Sequence, residues 1–161
     1  MTILTLTMPS ELPSYSPDQI DHYLQRIGHN GNFTDVHQSV QNDPLNTLSK
    51  LQRLHLCTIP WGNSALHYSQ HHSISIHPQA IFEKLVIRRL DGYCLESTNL
   101  FYGILRSLGY QVYPTAGRVN IQAPFGKVSY EQLYVSLSLS LSLYGGGCIL
   151  TNRVEITFYS L

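Results

Sequence analysis

Residues 91–109, DGYCLESTNLFYGILRSLG, decide the fold. Leu95, Thr98, Tyr102, Leu105 and Leu108 recur at a spacing of three to four, the period of one helix face, and Gly109 ends the pattern. Asp91 is expected to cap this helix, which puts Cys94 in its first turn, at the positive end of the peptide dipoles. Arg88 and Arg89 lie just upstream. The dipole and the arginines both favour the thiolate, the nucleophilic form of cysteine, so Cys94 is the side chain singled out for chemistry. The competing reading is a merely packed thiol, because Cys is among the most buried residue types.

Three more helices are expected upstream. Ser16, Pro17 and Asp18 read as a cap with proline at the first helical position, and Ile20, Tyr23, Leu24 and Ile27 follow at helical spacing before Gly28. Asp43 and Pro44 open a second, with a stripe of Leu45, Leu48, Leu51 and Leu54 that Pro60 closes. Cys57, beside Leu54 and Leu56, is expected in the core. Pro78 opens a third, with Ile81, Phe82 and Leu85 inward and Lys84, Arg88 and Arg89 outward. The polar stretch 29–42 reads as loop.

Downstream, Val112, Tyr113 and Val119 around Pro114 and Gly117 read as strand and turn, and residues 135–143, VSLSLSLSL, alternate with the period of a half-buried strand. Helices first and strands after predict an α+β fold. The expected division is an N-terminal extension (1–14), a helical bundle carrying the cysteine helix (15–109), the start of a β-region (110–127), and a low-complexity or out-of-family tail (128–161). A simple nucleotide repeat read in frame gives alternating Ser and Leu, so a retained intron is the expected origin of the tail.

Composition narrows the function classes. Ten Lys plus Arg balance ten Asp plus Glu, and no basic run occurs, so nucleic acid is not an expected partner. Three cysteines in no spaced pattern suggest neither a disulfide framework nor a CxxC site. The start lacks the basic and apolar regions of a signal peptide, and the uncharged stretch 133–151 is broken by serines and glycines, so a cytoplasmic protein is expected, with no membrane partner. His67 and His71 have a helical i, i+4 spacing but no accompanying Cys or carboxylate ligands, so no metal is expected.

The run 59–120 resembles the N-terminal part of the arylamine N-acetyltransferases, the fungal members in particular. Pro60, Trp61 and Asn63 match a P-F-x-N segment; Gly92, Tyr93, Cys94 and Glu96 match R-G-G-Y-C-x-E-x-N; Leu105, Gly109, Ala116, Arg118 and Val119 match the family's stretch downstream of that motif. The resemblance implies an incomplete cysteine-acyltransferase fold and a ping-pong enzyme with acetyl-CoA as acyl donor. Cys94 would take the acetyl group as a thioester and release it to an arylamine or hydrazine. Arg89, Gly92, Tyr93 and Glu96 are the expected supporting residues.

A histidine and an aspartate complete the family's triad, both from strands after the cysteine helix. Here all eight histidines precede Cys94 and no Asp follows Asp91. Leu90 and Asp91 also stand where the family usually has Arg and Gly. The chain is therefore expected to be truncated, with little or no turnover. One alternative is a non-catalytic remnant or interaction fragment of the family. Another is a cysteine hydrolase using an upstream histidine such as His71 or His77.

Overall fold

Six α-helices precede three strands in the computed structural model, which describes residues 14–120, 131–141 and 152–157. Helix α1 (Pro17–Arg26) starts as read: Ser16 Oγ accepts from the Gln19 N–H and the Gln19 side chain accepts from the Ser16 N–H, a reciprocal cap. Ile20, Tyr23 and Leu24 are buried, and Gly28 leaves the helix at φ +72°.

The stretch read as polar loop contains a helix, α2 (Phe33–Asn42). Asn32 and Asp35 cap each other's backbone N–H groups, and Val36 and Val40, four apart, are its buried anchors. Two apolar residues in ten are a weak stripe, which is why the period did not show. Asn32→Ala is expected to cost about 1 kcal/mol in urea-monitored unfolding. An unchanged midpoint would contradict the assigned cap.

Helix α3 (Pro44–Thr58) begins at Asp43, whose carboxylate accepts from the Asn46 N–H. Its core stripe is Leu48, Leu51 and His55, at i, i+3, i+7. Cys57 is exposed rather than in the core, because it lies about 200° round the helix from buried His55. Leu45 and Leu56 also face outward.

After the short α4 (Ser64–Tyr68), helix α5 (Pro78–Phe82) runs into a π-helical turn (Glu83–Ile87). Ile81, Phe82, Leu85 and Val86 are buried as one face. Helix α6 (Cys94–Ser107) is apolar nearly all round from Leu100 to Leu105 and lies at the centre of the core, against α5 and strands β1 (Val112–Asn120) and β2 (Glu131–Leu141).

The sheet has the order β1-β2-β3, with β3 at Asn152–Thr157, and both pairings are antiparallel. The registers run from Val112 opposite Leu139 to Asn120 opposite Glu131, and from Ser136 opposite Thr157 to Leu141 opposite Asn152. The strand runs straight through Pro114 and Gly117, where a turn was expected; an edge strand tolerates a residue without an N–H. Leu/Ser alternation as far as Leu141 lies in the central strand, and positions 142 and 143 fall outside the described residues. Among the described residues no helix is long and apolar enough to cross a membrane.

Candidate active site

The chain reaches Cys94 through a tightly tied segment. Two residues past the π-helical turn Arg89 stands at φ +55°, and the Leu90 N–H returns to the Lys84 carbonyl. The segment then pairs with residues 60–62: the Gly92 N–H donates to the Pro60 carbonyl and the Gly62 N–H to the Gly92 carbonyl, both at 3.0 Å. Close approach explains both glycines. A Cβ on Gly92 would stand 2.8 Å from Leu85 Cδ2, and one on Gly62 would collide with the Asp91 carboxylate.

Asp91 does not cap α6. Its carboxylate accepts from Ser64 Oγ at 2.6 Å and from the Ser64 N–H at 3.3 Å, and the hydroxyl bond above all holds the carboxyl below the usual carboxylate range. Tyr93 is the N-cap residue, and Glu96, three residues on, accepts its N–H at 2.8 Å. Lys84, read as facing out, instead holds both Glu96 oxygens at 2.8 and 2.7 Å. Glu96 is 2% exposed and Lys84 18%, so this is a largely dry ion pair under the first turn of α6.

Cys94 is the first residue of α6 and is half-buried. Burial pushes its thiol above the ordinary range, while the N–H groups of Cys94 and Leu95 at the helix end pull the other way. Desolvation wins, so the dipole does not produce the lowered thiol the sequence suggested. Arg88 and Arg89 are exposed, and the Arg89 charge bears on Arg26. Trp61, 51% exposed, and Tyr93 bring their rings to 6.2 Å beside this segment. Iodoacetamide at neutral pH is expected to alkylate exposed Cys57 faster than half-buried Cys94, and Cys94 labelling to speed up as pH rises. Faster labelling of Cys94 at pH 7 would contradict the raised thiol.

One further group escaped the sequence reading. His55 is fully buried between α1 and α6: Nδ1 lies 3.0 Å from the Tyr23 hydroxyl, Nε2 lies 2.9 Å from Ser97 Oγ, and its ring packs on Phe101 at 4.9 Å. Burial, with Arg26 adding to it, lowers its pKa to about 3. The ring is neutral at physiological pH, with one nitrogen donating and the other accepting. Ser97 is one turn along α6 from Cys94. The signal was its place in the leucine stripe, seven residues after Leu48. His67, His71 and His77 are exposed, and among the described residues no three His, Cys, Asp or Glu side chains gather as a metal-holding group.

The structure thus brings Gly92, Tyr93, Cys94 and Glu96 together and leaves Arg89 at the surface. A profile of the N-acetyltransferase family matches residues 44–142, more than half of the chain and on into the Leu/Ser alternation. The fold agrees with it: arylamine N-acetyltransferase from M. tuberculosis superimposes with a TM-score of 0.55 at 30% identity, over 79% of this chain and 44% of that one.

The chain belongs to the arylamine N-acetyltransferase family.

Among its relatives, an N-malonyltransferase, FDB2, of Fusarium pseudograminearum is 34% identical over 143 residues, 83% of this chain and 41% of that protein. An arylamine N-acetyltransferase of Escherichia coli is 36% identical over 105 residues, 65% of this chain and 34% of that protein. The structure of the arylamine N-acetyltransferase from Mycobacterium abscessus gives a TM-score of 0.57 at 27% identity, over 93% of this chain and 51% of that one. The chain spans about half or less of the length of each of these relatives.

Proposed function

We propose that this chain carries the acyl-accepting part of an acyl-CoA-dependent N-acyltransferase, with Cys94 as the acceptor. The sulfur attacks the thioester carbonyl and coenzyme A leaves as its thiol with the proton given up by Cys94; the nitrogen of an aromatic amine or hydrazine then attacks the new thioester, the bond to sulfur breaks, and Cys94 leaves as the thiol with the proton that the nitrogen loses. The supporting observation is the Gly92, Tyr93, Cys94, Glu96 set at the start of a buried helix, with Cys94 half-buried. Acetyl-CoA is the donor the family resemblance implies. The N-malonyltransferase relatives add malonyl-CoA as a second donor of the same chemistry. No metal enters this chemistry, and the reading places it in the cytoplasm.

A thiol raised by burial needs a base to take its proton. The raised thiol favours a second reading, a non-catalytic member that binds but does not transfer. Assay of the purified chain with each donor and an arylamine separates them. Slow transfer abolished by Cys94→Ala supports the acyl-accepting role, whereas transfer unchanged by Cys94→Ala overturns it. Equal Cys94 labelling rates in the wild type and in His71→Ala would remove the hydrolase reading.

A further inference from the structure

A cavity of about 460 Å³ lies behind the cysteine segment, between α4, the stretch 69–75 and the π-helical turn. That size is in the range of small-molecule sites. Its polar groups are unevenly satisfied. The carboxylates that reach it are taken: both Asp91 oxygens accept from Ser64, and both Glu96 oxygens accept from Lys84. Donors remain open. The Arg88 guanidinium and the Ser73 hydroxyl, both on exposed residues at the open side of the cavity, have no hydrogen-bond or ion-pair partner among the described residues, and Lys84, with three N–H bonds, has one left beyond its two carboxylate contacts. Ala65, Ile74 and Ala80 supply apolar wall.

The four charged groups that reach the cavity, Lys84, Arg88, Asp91 and Glu96, sum to zero. Lys84 is matched by Glu96, and Asp91 is held by Ser64, so Arg88, exposed at the rim, is the one of the four with no protein partner among the described residues. A planar guanidinium suits an oxyanion, to which it can give two parallel N–H bonds. We infer that this cavity is a second binding site, separate from Cys94, for a small oxyanion. A carboxylate or a phosphate offers the same chemistry. Cys94 does not line the cavity, so occupancy is read by binding and does not depend on the acyltransferase reading.

Calorimetric titration of the purified chain with malonate, and separately with inorganic phosphate, at constant ionic strength tests this. The expected result is saturable one-to-one binding of at least one of them. Loss of a charge-assisted pair should weaken it about tenfold or more in Arg88→Gln, while Arg53→Gln, exposed on α3, leaves it unchanged. Arg88 is exposed and makes no side-chain hydrogen bond or ion pair among the described residues, so its variant remains a fair probe. Preference for malonate or for phosphate tells which oxyanion the cavity takes. No saturable binding of either, or equal weakening by Arg53→Gln, would overturn the site.

Discussion

Replacing Glu96 by alanine is expected to lower stability by about 3 to 5 kcal/mol, the usual cost of removing one partner from a buried ion pair. The carboxylate, 2% exposed, serves two groups at once: it neutralises Lys84, which is 18% exposed, and it satisfies the Tyr93 N–H at the start of α6. Without it a mostly dry ammonium loses its counter-charge and an orphaned N–H remains at the start of the helix that carries Cys94. Glu96→Gln keeps an acceptor for Tyr93 and should cost less. Joint replacement, Lys84→Met with Glu96→Leu, should recover much of the loss, since two apolar groups need no pairing. Urea unfolding of the four proteins measures this. A cost below about 1 kcal/mol for Glu96→Ala would show the pair to be a surface contact in energetic terms. The change should also speed Cys94 alkylation, because the cap that seats the first turn of α6 is lost.

Acid should destabilise the chain through His55. Its pKa is about 3 in the fold against an ordinary 6.5, because charging it means burying an imidazolium between Tyr23, Ser97 and Phe101. The unfolded chain therefore takes up this proton below pH 6.5 and the folded chain does not until about pH 3. Stability rises with pH wherever the unfolded state binds more protons, so it is full above pH 6.5 and falls as pH drops towards 3. The loss is about 1.4 kcal/mol per pH unit, up to about 4 to 5 kcal/mol in all. His29, lowered mainly by burial, acts in the same direction. His55→Gln removes the titration, so its stability should depend less steeply on pH between 6 and 4 by about that slope. Equal slopes for both proteins would contradict a neutral buried His55.

The legible parts of the fold were those where local chemistry and burial agree. Ser16 and Asp43, each before a proline, gave the starts of α1 and α3, and the apolar period through Leu105 gave α6. Helix α2 was hidden because its stability rests on a side-chain cap and two valines rather than on a stripe. Around the site, Gly92, Tyr93, Cys94 and Glu96 stood out as a motif, but their partners did not. Lys84 has the period of an outward residue on its own helix and becomes inward only because Glu96 meets it from another. Asp91 has the sequence place of a cap and is drawn off by Ser64, 27 residues earlier. The thiol was misjudged for a related reason: a dipole can be read from position in a helix, whereas desolvation depends on what the helix packs against.

Peptide-mapped mass spectrometry after incubation with acetyl-CoA, and separately with malonyl-CoA, asks most directly whether Cys94 is the acyl acceptor. One acyl group is expected on the Cys94 peptide. Its rate of formation should saturate with donor concentration and increase with pH as the buried thiol ionises. Exposed Cys57 offers the internal comparison, since chance acylation there should rise linearly with donor and never saturate. Acyl groups on Cys57 with none on Cys94, across the same donor and pH range, would contradict the assignment.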